Sequence, residues 1–174
     1  MALLELKNLK TFFATKRGTV KAVNGVSYSL DAGKVLGVVG ESGSGKSVSA
    51  MSILRLLDGN GYIDSGEILF NGQDLTKLSM NEMYKIRGNE ISVIFQEPMT
   101  ALNPVFRIGD QVDEVLALHN EKGHDEAQIK ARTIELLEMV GIANSEGVYK
   151  MFPHELSGGM RQRVMIAIAP VSYT

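Results

Sequence analysis

Eight consecutive residues, GESGSGKS at positions 40–47, have the residue types and the spacing of a phosphate-binding loop. They fit the pattern G-x-x-x-x-G-K-[ST] and stand between an apolar run and an amphipathic stretch. Glycines allow backbone N–H groups to curl around an anion, and a helix start adds the positive end of its dipole. We therefore predict a site for a nucleoside triphosphate. Its predicted members are Gly40, Glu41, Ser42, Gly43, Ser44, Gly45, Lys46 and Ser47.

Lys46 and Ser47 are the most specific part of this prediction. The Lys46 ammonium is expected to bind the β- and γ-phosphate oxygens, and the Ser47 hydroxyl is expected to bind the Mg²⁺ that bridges them. Kinases, switch GTPases and motor ATPases share such a loop. An Asn/Thr-Lys-x-Asp segment, which would indicate guanine recognition, does not occur in the sequence. The loop predicts nucleotide binding, and the rest of the chain must indicate the function.

Composition narrows the class of protein. The 174 residues are 44% hydrophobic and 22% charged, which is typical of a folded globular domain. The formal net charge is −2 and no basic run is interleaved with aromatic residues, so nucleic acid is not expected as a partner. There are no cysteines, and the histidines at positions 119, 124 and 154 lack metal-ligand spacing. No apolar stretch approaches the ~18 residues of a membrane span.

The first part of the chain predicts β-strands. Residues 3–13 and 20–30 alternate apolar with polar side chains. Residues 34–40, KVLGVVG, are apolar at consecutive positions, which is typical of a strand covered on both faces in a parallel sheet. The sequence GEILFNGQDL predicts a hairpin that turns at Asn71 and Gly72. NEISVIFQEP, residues 89–98, predicts one more strand.

Helical spacing follows the phosphate loop and returns from about Pro104. The first helix is expected to pack on the sheet through Val48, Met51, Ile53, Leu54 and Leu57. Asp125 and Gln128 predict a capping box, and Gly141 predicts the end of that helix. The apolar stripe expected on its buried face is Ala127, Ala131, Ile134, Leu137 and Val140.

Further segments resemble the ATP-binding cassette (ABC) transporter ATPases. VIFQEP, at 93–98, is similar to the Q-loop of that family, and LSGGMRQR, at 156–163, is similar to its signature. FQEPMTALNP and HELSGGMRQRVMIA resemble the dipeptide/oligopeptide importer subfamily. The resemblance implies an α/β fold: a P-loop NTPase core sheet with an N-terminal antiparallel β region and a helical subdomain. The implied segments are a nucleotide-binding core with the β subdomain (1–103), a helical subdomain (104–155) and the signature helix (156–174).

The resemblance also implies roles for single residues. Gln96 would contact Mg²⁺ and the attacking water, and Ser157 and Gly159 would close over the γ-phosphate held by a second subunit. Phe13 matches the position of an adenine-stacking aromatic residue. The plainer readings stay open: Gln96 as a solvated amide at a strand end, Ser157 as a helix N-cap and Phe13 as an apolar core residue.

The implied cofactors are ATP and Mg²⁺, and the implied partners are a second ABC ATPase subunit and two membrane permease subunits. A substrate-binding protein would act indirectly. The implied location is peripheral, at the cytoplasmic face of the cell membrane. The implied function is to energise peptide import by ATP binding and hydrolysis, and the sequence does not separate dipeptides, oligopeptides and nickel-type ligands. The alternatives are a catalytically silent nucleotide-binding module and a small-molecule P-loop kinase. The signature and the Q-loop argue against the kinase.

The chain departs from the family pattern after RVMIAIA. The family continues into a strand that ends in Asp-Glu, whereas this chain reads PVSYT. The Asp holds the Mg²⁺ shell and the Glu orients or deprotonates the water. Glu97 also follows an apolar run, but no Asp precedes it and the Q-loop resemblance explains it better. We find no other candidate general base. The expectations are a C-terminally incomplete cassette, weak or absent hydrolysis by the chain alone, and a 34–40 strand left exposed.

Overall fold

The computed structural model describes residues 2–95, 102–120 and 123–169. The chain divides into two compact units, Met1–Met83 and Tyr84–Thr174. Within the described residues, no helix has both the length and the apolar character that crossing a membrane requires.

The first unit is built on an antiparallel sheet. Its strands are β1 (Ala2–Thr15), β2 (Gly18–Asp31), β3 (Gly61–Phe70) and β4 (Gln73–Asp74), in the order β2-β1-β3-β4. The predicted strands at 3–13 and 20–30 are thereby confirmed, because alternating side chains suit a sheet with one buried face.

The β3–β4 hairpin turns where the sequence predicts it. Asn71 and Gly72 have φ angles of 49° and 80°. A two-residue turn of this kind needs a positive φ at both positions, since its twist then matches that of the strands.

Helix α1 (Lys46–Ile53) packs on β1 and β2 through a polar face. Ser49 and Ser52 are its buried residues, while Val48 and Met51 are only half-buried. Of the predicted apolar residues, Leu54 at the C-cap is buried as expected, whereas the others are only half-buried. The predicted apolar face is therefore confirmed at Leu54 alone, and Leu57 lies beyond the end of the helix. Around α1, the buried apolar side chains of this unit include Leu6, Leu9, Phe12, Val23, Leu54, Ile68 and Leu75.

Residues 34–40 do not form the predicted buried strand. They belong to no strand, but the exposure expected for them is found: the side chains of Val35 and Val39 are 99% and 92% exposed. A strand exists only where a neighbouring backbone completes its hydrogen bonds. In the part of the chain that the structure describes, no strand pairs with this segment.

The strand predicted at 89–98 is also wrong over its described part. One isolated bridge joins Arg87 to Ile91, and residues 92–95 are in no strand. Ile94 and Phe95 are about half exposed, at 51% and 47%. A prediction from apolar composition alone overestimates strand content where no neighbouring strand is available for pairing.

The second unit is helical. Helix α2 (Met80–Ile86) crosses the boundary and starts at a reciprocal cap between Ser79 and Glu82. In the part of this unit that the structure describes, four α-helices follow: α3 (Ile108–Leu118), α4 (Glu126–Met139), α5 (Ser145–Tyr149) and α6 (Gly158–Ile168). Their shared core includes Leu102, Ile108, Val112, Leu116, Leu136, Leu137, Ile142, Val148, Leu156 and Val164.

The ends of α4 are confirmed and its buried face is corrected. Asp125 and Gln128 form the predicted capping box. The amide of Gly141 bonds to the Glu138 carbonyl and the amide of Ile142 to the Leu137 carbonyl, a Schellman ending. The residues that α4 buries are Ile129, Thr133, Leu136 and Leu137. Of the predicted stripe only Leu137 is fully buried; Ala127 and Ala131 are exposed, and Ile134 and Val140 are half-buried.

Candidate nucleotide-binding site

Within residues 40–47, Gly45 has a left-handed backbone conformation and directly precedes helix α1. Gly45 is the N-cap of α1, with φ 91°, and Gly43 has φ 79°. The first helical hydrogen bond runs from the Ser49 amide to the Gly45 carbonyl, at 2.8 Å. No side chain caps this helix and its first turn holds no acidic residue. The first-turn N–H groups and the dipole therefore favour an anion at this end.

Strand β2 supports the loop from behind. A Cβ atom on Gly45 would overlap the carbonyl oxygen of Ala22. Glycine therefore meets two requirements here, since it permits the positive φ and the close approach of the two backbones. The contact fixes the start of α1 against β2.

Lys46 directs its ammonium into the curl of the loop. Its Nζ atom donates to the carbonyl oxygens of Gly40 and Glu41, at 2.7 and 2.6 Å, and lies 3.4 Å from the Ser44 hydroxyl. An ammonium has three donors and no acceptor. A cation is thus held beside the helix start, where a phosphate would need it.

The other loop residues border this centre. Glu41, Ser42, Ser44 and Ser47 are exposed, and the Ser44 amide bonds to the Glu41 carbonyl at 3.3 Å. Ser47 lies in the first turn of α1, one residue after Lys46. Across the described ranges, no group of three or more His, Asp or Glu side chains could hold a metal ion. The fit to a triphosphate rests on the glycines, the helix start and Lys46.

A polar contact region behind the loop was not predicted from the sequence. The Ser49 hydroxyl donates to the Lys46 carbonyl at 2.8 Å, and the buried Ser52 hydroxyl lies 2.8 Å from that of Thr11 on β1. Burial raises the pKa of Tyr28 on β2, and hydrogen bonding with Ser49 opposes that rise. The Ser-x-x-Ser spacing of α1 was the available signal, because residues three apart share a helix face.

Phe13 lies in the same unit, on β1. It pairs with Val20 of β2 and Gly61 of β3. Phe13 is half-buried, and its ring packs against Gly61, where an added Cβ would meet the ring at 2.7 Å. Part of the ring is accessible, as stacking on a base would require.

The predicted residues of the signature lie in the second unit. The Ser157 hydroxyl accepts from the Met160 amide, at 3.3 Å, and so caps α6. Gly159 is exposed, and nothing lies within 4 Å of a Cβ built on it. Gln96, the predicted Q-loop residue, lies outside the described residues.

Comparison with known proteins establishes the family. The family model described as ABC transporter matches residues 23–173. The chain belongs to this family. Its fold is that of an ABC cassette: a solved dimeric structure of the bacterial ABC transporter cassette MJ0796 has a TM-score of 0.83. That cassette is 27% identical, and the match covers 95% of this chain and 68% of the cassette. The predicted family and fold class are confirmed.

The relatives point to a narrower group. The chain is 51% identical over 168 residues to the oligopeptide transport ATP-binding protein AppD of Bacillus subtilis, covering 96% of this chain and 51% of AppD. It is 51% identical over 166 residues to the dipeptide transport ATP-binding protein DppD of Lactococcus lactis, covering 95% of this chain and 47% of DppD. The chain thus spans about half the length of the curated relatives it matches.

Proposed function

We propose that this chain binds ATP at residues 40–47 as part of the ATP-binding subunit of a peptide importer. The observation that carries the proposal is the helix start at Gly45, which has no side-chain cap and lies beside the ammonium of Lys46. Such a site attracts the triphosphate through backbone amides, the helix dipole and one mobile cation. A solved MJ0796 cassette is described as bound to ADP and Pi.

Mg²⁺ is proposed to bind at Ser47 and Gln96 when ATP is present. Mg²⁺ keeps several waters and takes few protein ligands beside the phosphates, so an acidic cluster is not needed. The bound ion would neutralise charge on the β- and γ-phosphates. The proposed role of this chain's residues is to hold and orient: Phe13 against the base, and Lys46 against the phosphates.

The chain spans about half the length of its relatives. We therefore propose hydrolysis and transport for a whole transport assembly and not for this chain alone. Ser157 and Gly159 would close over ATP held by a second cassette, and two membrane permease subunits would receive the movement. The assembly would lie at the cytoplasmic face of the membrane and take peptides as substrates. The names of the relatives, oligopeptide and dipeptide transport proteins, support peptides over the other ligands.

A titration with a labelled ATP analogue tests the binding site. Lys46→Ala is expected to raise the dissociation constant about tenfold or more, since a contact between charged groups is lost. Lys16→Ala, an exposed lysine at the β1–β2 turn, removes the same charge elsewhere and should change nothing. Equal affinity of the wild type and Lys46→Ala would refute the site.

A further inference from the structure

Thr11 on β1 and Ser52 on α1 form a buried hydroxyl pair behind the phosphate loop. Their oxygen atoms are 2.8 Å apart and both residues have 0% exposure. The Ser52 hydroxyl also donates to the Val48 carbonyl, at 2.6 Å. A hydroxyl has a single proton, so Thr11 is the donor within the pair. A directional bond thus joins strand and helix where apolar packing would be usual.

The pair connects the two elements that carry the two halves of the nucleotide site. Thr11 lies two residues before Phe13 on β1, and Ser52 lies on the helix that begins at Lys46. Helix α1 is therefore held from both strands: Gly45 packs against β2 and Ser49 bonds to Tyr28 of β2, while Ser52 bonds to β1 near the end of the helix.

We propose that the Thr11–Ser52 bond sets the orientation of the phosphate-binding helix start relative to Phe13. The site thereby favours a nucleoside triphosphate over a bare polyphosphate. Thr11 and Ser52 are positioning residues, since neither is placed against the ligand. The inference rests on the proposed ATP binding and adds a reason for its selectivity.

Directionality is the physical basis of this role. Apolar contacts are non-directional, whereas a hydrogen bond restricts both distance and angle. Without the bond, α1 can tilt about its contact with β2, and the first-turn N–H groups turn with it. Only part of the population then presents base and phosphate sites at the spacing of one ATP molecule. The apparent dissociation constant rises by the inverse of that fraction.

Binding of tripolyphosphate distinguishes a positioning effect from a general loss of structure at the loop. It contacts the loop and the helix start, which move together, and it has no base to place. Loss of the bond should therefore weaken ATP and leave tripolyphosphate unchanged. The size expected for one neutral hydrogen bond is about three- to tenfold in the ratio of the two dissociation constants.

The variants differ in which of the two buried hydroxyl groups they retain. Thr11→Val removes the donor at nearly constant shape, and Ser52 keeps its bond to Val48. Ser52→Ala leaves the Thr11 hydroxyl buried with no partner and should cost more stability. The double variant removes both hydroxyls and should recover part of that stability while the ratio stays altered. Thr11→Ser, which keeps the hydroxyl, should restore the wild-type ratio.

Calorimetric titration of the purified chain with ATP and with tripolyphosphate is the test, at one Mg²⁺ concentration. Thr76→Val is the matched control, because it removes a hydroxyl that bonds to Asp74 at 2.8 Å beside β4. Its ratio should equal that of the wild type. An unchanged ratio in Thr11→Val, or equal weakening of both ligands, would overturn the inference while ATP binding stands. A wild-type chain that binds no ATP would overturn the proposed function as well.

Discussion

Gly45 and the carbonyl oxygen of Ala22 lie so close that no side chain fits between them, because a Cβ atom on Gly45 would overlap that oxygen. Gly45 also has φ +91°, whereas Gly43 has φ +79° and nothing within 4 Å of an added Cβ. The two glycines therefore share the backbone requirement and differ in packing.

Alanine at these positions separates the two effects. Gly43→Ala should cost about 1–2 kcal/mol of unfolding free energy, the price of a left-handed backbone. Gly45→Ala should cost more and also weaken ATP binding, because the helix start must move away from β2. Urea unfolding and ATP titration measure the two quantities. Equal stability of the two variants would contradict the close packing of Gly45.

Asp113 joins three helices of the second unit. Its carboxylate accepts a hydrogen bond from Tyr149 of α5 at 2.5 Å and another from Thr133 of α4. Burial raises the pKa of Tyr149, and the bond to Asp113 and its negative charge raise it further. The neutral phenol is thus favoured in the folded state.

The sign of the resulting pH dependence follows directly. The stabilisation is fully present below the unfolded tyrosine pKa of about 10, and it is lost as the pH rises from there toward the folded pKa. Tyr149→Phe should lower the unfolding free energy by about 1–2 kcal/mol at neutral pH, since the bond to the carboxylate is partly solvated. The free energy of unfolding of this variant should also fall less steeply above pH ~10.

Urea unfolding at pH 8 and 10.5 measures this difference. Tyr84→Phe removes the same atom from an exposed tyrosine and serves as the control. A Tyr149→Phe variant with the same alkaline loss as the control would exclude a role for the Asp113 bond.

Ser157 can be varied without losing its cap on α6. Ser157→Asp keeps an acceptor for the Met160 amide and introduces a negative charge where we place the γ-phosphate of a second cassette. The chain should still bind its own ATP within about twofold of the wild type, but ATP-driven pairing with an intact cassette should be lost, because like charges repel in a desolvated contact. Ser157→Thr should retain both properties.

Analytical ultracentrifugation with and without ATP measures the pairing. Loss of the chain's own ATP binding in Ser157→Asp, in parallel with loss of pairing, would indicate a site formed within one chain.

Local patterns predicted the features that local forces determine. The alternation in β1 and β2, the Asn71–Gly72 turn and the Asp125 capping box each depend on neighbours within a few residues. The start of α1 directly after Gly45 belongs to this group, because the residue spacing defines the local backbone geometry, whereas nucleotide binding at 40–47 stays a prediction.

Features set by distant contacts were missed. Residues 34–40 have strand composition, yet a strand needs a neighbouring backbone, which composition does not supply. The sequence predicted an apolar packing face for α1, and only the structure shows that Ser52 is buried with Thr11 opposite it. In α4, Ile129 and Thr133 are buried in place of Ala127 and Ala131, because the neighbouring helices decide which face packs.

Backbone NMR of the labelled chain during ATP titration tests ATP binding at residues 40–47 most directly. We expect the amide resonances of Gly43, Gly45, Lys46 and Ser47 to shift first and most, since their N–H groups would turn toward the phosphates. Tripolyphosphate should move the same amides and leave Phe13 unchanged, whereas ATP should move Phe13 as well. ATP binding whose largest shifts lie outside residues 40–47 would contradict the assignment of this loop.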